Sequence, residues 1–181
     1  MTMAGTTSTP GPTREPRAQD DVRWLTADEQ RAWRAWRDGA ARLLDILGHE
    51  LEQDSGLSLG EYEVLVRLSE APGRTLRMSE LAGELAHSRS RLTHTVRRME
   101  NAGLVERAPC LEDARGVNCT MTEAGWQRLV DAAPAHVESV RAHLVDVLTP
   151  AQLQALGDAM AVVGAALQAG CAQAVEAAEA R

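Results

Sequence analysis

The sequence predicts a mainly α-helical fold with one small β-hairpin, and three observations lead to it. The 181 residues include no Phe, one Tyr and four Trp, so a core must be built from Leu, Val, Ala and Met, a mix that favours helices over sheets. Apolar residues recur at steps of three and four through successive stretches, several of them opened by helix-capping residues. The period changes once, between Leu104 and Met121, where two short strand-like runs flank a polar turn.

Length and composition bound the rest. The size suits one domain with appendages, and 44% apolar residues are enough for its core. No apolar run approaches the roughly 20 residues that a membrane-spanning helix needs. The start lacks the charged-then-apolar pattern of a secretion signal. Three cysteines, Cys110, Cys119 and Cys171, cannot make a disulfide framework. A reduced, cytoplasmic protein that does not associate with membranes is expected.

Residues 1–20 are rich in Thr, Pro and Gly without a periodic apolar face, and predict a disordered tail. Thr26 and Glu29 have capping-box spacing. Trp33, Trp36, Ala40, Leu43, Leu44, Leu47 and Leu51 follow as one stripe, and Asp54-Ser55-Gly56 ends that helix. Ser58 and Glu61 open a second helix lined by Leu59, Tyr62, Leu65, Val66 and Leu68, which stops at Ala71-Pro72-Gly73. A short third helix follows Met78, with Ser79 as its cap and Leu81, Ala82 and Leu85 facing inward. A tight turn containing His87 leads to a fourth helix capped by Ser88. Its inner face is Leu92, Val96 and Met99, and it ends at Asn101-Ala102-Gly103. Residues 104–110 and 116–121 form the hairpin, with 111–115 as its turn. Thr122 caps a fifth helix with the stripe Trp126, Leu129, Val130, Ala133, Val137, Val140, Leu144 and Val147, and with Pro134 as a kink site. Thr149, Pro150 and Gln152 begin a sixth helix. Its stripe of Leu153, Leu156, Met160, Val163, Leu167, Cys171 and Val175 is longer than a small domain needs for its own core.

Two short helices joined by a tight turn and followed by a hairpin make a winged helix-turn-helix. The second of the pair is unusual in its charge. The chain is acidic, with formal net charge -7, yet His87–Arg98 holds four arginines, two histidines and no acid. On a helix at 3.6 residues per turn, Arg89, Ser90, Thr93, His94 and Arg97 lie opposite the apolar face. Solvated charged faces usually mix both signs, and this one does not. A helix fits the major groove of DNA and Arg can pair with a guanine edge through two bonds, while Ser, Thr and amides at a helix start suit phosphates. The expected DNA-binding set is therefore Ser88, Arg89, Ser90, Arg91, Thr93, His94, Arg97 and Arg98, joined by Asp113 and Arg115 in the turn of the wing. Arg115 is placed to enter a narrow minor groove, held there by Asp113.

The stretch LSLGEYEVLVRLSEAPGRTLRMSELAGELAHSRSRLTHTVRRMENAGLVER, the wing EDARGVNCTMTEAGWQRL and the long closing helices resemble the multiple-antibiotic-resistance regulator (MarR) family, over roughly residues 26–170. Its most specific pieces here are MSELA, RRMENAGLVER, the pair Asp113 and Arg115, and TEAG at 122–125. The resemblance implies a bacterial homodimeric transcription factor, usually a repressor, on a pseudo-palindromic double-stranded operator. It implies dimerisation through the N-terminal helix of 21–56 and the helices of 123–181, with Leu153, Leu156, Met160, Val163 and Leu167 at the interface. Residues 57–122 then form the DNA-binding lobe. A small-molecule effector between lobe and dimer helices is also implied. Two departures stand out: Ala114 takes the place of a further wing arginine, and no cysteine lies near the start of the first helix, where peroxide-sensing members carry one.

Other features have competing readings. Trp33, Trp36 and Tyr62 are either core or the lining of an aromatic effector site. Cys110 and Cys119, on the two strands of the hairpin, raise the alternative of a redox-controlled regulator. A winged-helix module for protein interaction without DNA binding is the other alternative. His49, His87, His94, His136 and His143 show no metal-ligand spacing, and no nucleophile–base pair or phosphate loop is present, so neither a metal, a cofactor nor an enzyme is expected. The wing reading makes a prediction: Arg115→Ala weakens DNA binding evenly across sequences and flattens the salt dependence of affinity by a slope of about 1. A salt titration with an unchanged slope would contradict it.

Overall fold

Capping side chains start four of the helices as the sequence predicts. The computed structural model describes residues 22–85, 89–110 and 116–179. The expected tail over 1–20, the turn around His87 and Ser88, and the hairpin turn with Asp113 and Arg115 lie outside them, as do the side chains of Arg89, Cys171 and Val175. The chain divides after Gly39 into two compact units. Helix α1 (Ala27–Ser55) begins with the predicted box: the Thr26 amide donates to Glu29 Oε2 at 2.7 Å, and the Glu29 amide to Thr26 Oγ1 at 3.2 Å. It ends at Gly56, whose φ of +70° glycine adopts without penalty.

In the second unit, α2 (Leu59–Glu70) starts where Glu61 Oε2 accepts from both the amide and the hydroxyl of Ser58, at 2.9 and 2.7 Å. It buries Tyr62, Val64, Leu65 and Leu68. A strand absent from the sequence reading comes next: β1 (Thr75–Arg77). It runs straight into α3 (Met78–Glu84), so the cap of that helix is Arg77 and not Ser79. The Arg77 amide donates to Glu80 Oε2 at 3.2 Å. Helix α4 (Arg89–Asn101) leads through Gly103, at φ +72°, into β2 (Val105–Pro109) and β3 (Val117–Met121). The expected two-stranded hairpin is in fact a three-stranded antiparallel sheet in the order β1-β3-β2. Cys119, in the centre, faces Leu76 on one side and Arg107 on the other.

Thr122 Oγ1 accepts from the Gly125 amide at 3.0 Å and caps α5 (Glu123–Val140). This helix runs on through Pro134, and the irregularity falls seven residues later. Arg141–Val145 is a π-helical turn in which the Asp146 amide reaches back to the Arg141 carbonyl at 2.8 Å. The stripe also differs from expectation: Gly125, Leu129, Ala132 and Ser139 are buried, whereas Val130, Val137 and Val147 are exposed. Helix α6 (Pro150–Glu179) opens on the predicted Thr149–Gln152 box, at 3.0 and 3.3 Å. No described helix is long and apolar enough to cross a membrane.

One core joins α2, α3, α4, the sheet and α5, with Leu51 and Leu57 beneath it. Its tightest point is Gly125. A methyl group there would run into the Leu104 carbonyl oxygen and meet Met121 Cγ at 3.0 Å. The same carbonyl accepts from the Thr122 amide at 3.1 Å, so it cannot move freely. Gly125→Ala should lower the unfolding free energy in urea by about 2–3 kcal/mol, the range of an overpacked core; a loss below about 0.5 kcal/mol would show that the contact can relax.

Candidate nucleic-acid interface

Helix α4 is held by one face and open on the other. Leu92, Val96 and Met99 are 1%, 0% and 0% exposed, packed in the core with side chains of α2 and α3. Ser90, Arg91, Thr93, His94 and Arg97 are all exposed. Ser90, Thr93, His94 and Arg97 border one shallow depression on the outer face. Arg91, His94 and Arg98 border a second groove, shared with Ser58 and Gly60 at the start of α2. The structure thus brings most of the expected set to two adjoining surfaces. Arg98 is turned toward α2: its guanidinium meets Glu61 Oε1 at 3.0 Å and donates to Ser58 Oγ at 3.2 Å.

The far end of α4 is tied to the wing. Arg107 of β2 donates through Nε and Nη2 to Glu100 Oε2, at 3.0 and 2.5 Å. That hydrogen-bonded guanidinium holds the Glu100 carboxyl below its ordinary range and raises Arg107 in turn. The base of the sheet has a further lock that sequence reasoning missed. Arg74 adopts φ +54°, lies 4.2 Å over the Trp126 ring and reaches Glu123 Oε2 at 3.1 Å. Positive φ on a non-glycine residue leaves no mark in a single sequence, so nothing pointed to it.

A cleft of about 370 Å³ opens in the second unit. Its apolar lining includes Leu44 and Leu47 of α1, Leu59 and Val66 of α2 and Leu85 after α3. Tyr62 and His136 also line it, with ring centroids 4.4 Å apart and planes tilted by 52°. Burial lowers the His136 pKa, and its Nδ1 is buried without a hydrogen-bond partner among the described residues. Of the three aromatic residues singled out from the sequence, the structure places Tyr62 in this cleft. Trp33 and Trp36 lie in the first unit, stacked on each other at 5.3 Å and partly exposed. His136 carried no sequence signal beyond its residue type. Nearby, Glu50 of α1 accepts from Ser139 and meets His143 Nε2 at 2.9 Å, tying α1 to the end of α5. These bonds, Ser139 foremost, lower the Glu50 pKa.

A family model described as the MarR family matches residues 55–116. The HTH-type transcriptional regulator PecS of Dickeya dadantii (strain 3937) is 32% identical over 96 residues, which cover 52% of this chain and 55% of that protein. The match therefore spans about half the length of that curated relative. Among solved structures, Sco3205, a MarR family transcriptional regulator from Streptomyces coelicolor in complex with DNA, is 43% identical. It has a TM-score of 0.78, with 83% of this chain and 94% of that one covered. AbsC, a MarR family transcriptional regulator from the same organism, is 42% identical with a TM-score of 0.76, covering 82% and 99%.

The register of the sheet decides the question of the hairpin cysteines. Arg107 stands opposite Cys119, and the Cys110 amide donates to the Gly116 carbonyl. Cys110 and Cys119 are therefore offset by three positions, about 10 Å along the strands, and point to opposite faces. A disulfide needs Cα atoms within about 7 Å. Both thiols are also buried, and burial pushes Cys119 up to about 11, away from the reactive thiolate. The redox-controlled alternative is thus not favoured: Cys119 is packed within β3 and Cys110 just after β2, too far apart for a disulfide. Peptide mapping of the native protein after diamide treatment should find no Cys110–Cys119 bridge, and its recovery in high yield would contradict the register.

Proposed function

The chain belongs to the MarR family of transcriptional regulators, and on that premise we propose that it binds a pseudo-palindromic double-stranded operator as a homodimer and represses until a small ligand releases it. The observation that carries the reading is the outer face of α4. Ser90, Thr93, His94 and Arg97 stand exposed on a helix whose opposite face is locked in the core. Such a helix can enter a major groove, with Arg97 placed for a base edge and Ser90 and Thr93 for phosphate or base contacts. Ser88 and Arg89 at its start, and Asp113 and Arg115 at the wing tip, belong to the same proposed interface. That Sco3205 was solved in complex with DNA supports the assignment.

The homodimer is supported by α6. In the isolated chain Met160, Val163 and Leu167 are 37%, 47% and 66% exposed, with Leu153 and Leu156 half-buried on the same helix. A contiguous apolar stripe of this kind marks an association surface. Pairing two copies there, with help from α1 and α5, would present two recognition helices about one DNA turn, ~34 Å, apart. The DNA-binding lobe is then 57–122, flanked by the dimerisation segments 21–56 and 123–181, and the protein works in the cytoplasm. Release is supported by the cleft at Tyr62 and His136, because Glu84 and Leu85 in its lining directly precede the lead-in to α4. A ligand wedged there would shift the recognition helix.

The test is binding to a duplex selected from random DNA. Arg97→Ala should lose about 1–3 kcal/mol and relax the preference at one base position. An Arg97→Ala protein as tight and as selective as the wild type would overturn the role given to α4.

A further inference from the structure

Helix α4 contains a single acid, Glu100, and it stands one turn after Arg97. Side chains three apart are neighbours on a helix surface, and opposite charges at that spacing attract. Arg97 is exposed and borders the depression on the outer face. Arg107 of β2 intervenes between them. Its Nε and Nη2 both donate to Glu100 Oε2, at 3.0 and 2.5 Å. The two side chains are only 29% and 33% exposed, and two charge-assisted bonds to one carboxylate outmatch one solvated contact. The hydrogen bond from Arg107 is the main cause of the low Glu100 pKa, and the charge of Arg97 is a lesser one. Both guanidiniums therefore bear on the same carboxylate.

We propose that Arg107 is a positioning residue for the reading of DNA: by holding Glu100 toward β2 it keeps that carboxylate from capturing Arg97, and leaves Arg97 to the base edge. The proposal rests on the reading that Arg97 contacts DNA, and it adds the residue that keeps Arg97 available. A guanidinium paired with Glu100 would point along the helix, away from the depression bordered by Ser90, Thr93 and His94. It would have to give up that pair before reaching a guanine, and the discrimination gained there would shrink accordingly. Arg98 does not take the part of Arg107, because it is engaged with Glu61 and Ser58. The pair also links α4 to β2, but the roll of α4 is set by the burial of Leu92, Val96 and Met99, so the helix keeps its orientation when Glu100 is neutralised.

The test follows base preference, position by position, on a duplex selected from random DNA with the full-length protein. Arg97→Ala identifies the position that Arg97 reads. Arg107→Met should lose about tenfold in preference at that same position, the order of one bidentate base contact. Glu100→Gln removes the competitor together with the pair and should keep the wild-type preference. Adding Glu100→Gln to Arg107→Met should restore what the single variant lost. Adding Glu106→Gln instead, at the exposed neighbouring position of β2, restores the same net charge and should recover no base preference, since a change of overall charge acts evenly across sequences. Arg107→Lys leaves one donor group on the carboxylate and should show a smaller loss in the same direction, which keeps the test open if methionine prevents folding. If the pair served only to join α4 to β2, Glu100→Gln would do as much harm as Arg107→Met and the double variant would be no better; either result would overturn the proposal while leaving Arg97 as a reader of DNA. An Arg97→Ala protein with unchanged base preference would instead remove the reading on which the proposal stands.

Discussion

What the outer face of α4 can do depends on how firmly its inner face is held. Leu92, Val96 and Met99 are withdrawn almost completely from water, each worth about 1.5–3 kcal/mol of burial. That packing fixes the roll of the helix about its own axis, and with it the direction of Ser90, Thr93, His94 and Arg97. Two polar ties then hold its C-terminal end. Arg98 reaches the start of α2 through Glu61 and Ser58, and Glu100 holds the wing through Arg107. Partly exposed ion pairs of this kind contribute little to stability. Their use is geometric: they orient α4 against the start of α2 and against β2.

The same constraint bears on the proposed release by a ligand. Helix α2 lies between the cleft and α4, presenting Tyr62 to one and packing Leu65 and Leu68 in the core shared with the other. Helix α5 sets the far wall of the cleft through His136 and is pinned to the sheet by the Gly125–Leu104 contact and by Arg74 over Trp126. The end of α3 forms another wall of the cleft, where Glu84 is exposed and Leu85 half-buried.

Much of this was legible in the sequence because it is local. The boxes at Thr26/Glu29, Ser58/Glu61 and Thr149/Gln152 depend on residues three apart, and the inner face of α4 shows in its spacing. The features that were missed depend on distant partners. Thr75–Arg77 is too short to show alternation and becomes a strand because β3 offers it an edge. That pairing also moves the α3 cap from Ser79 to Arg77. On α5, apolar spacing pointed to Val130 and Val137, but the close approach to the sheet and α2 buries Gly125 and Ala132 instead. Cys110 and Cys119 looked like neighbours until the register set them three positions apart. His136 became part of a site only when α5 was laid beside α2.

The central claim is that α4 reads DNA from the major groove, one copy in each half-site. Guanine-N7 methylation interference on a selected operator tests it most directly, since N7 lies in that groove. The account predicts two patches of interference, centred about one helical turn, 10–10.5 base pairs, apart, each weakened in Arg97→Ala. Tight binding with no interference at any guanine of a guanine-containing half-site would contradict it.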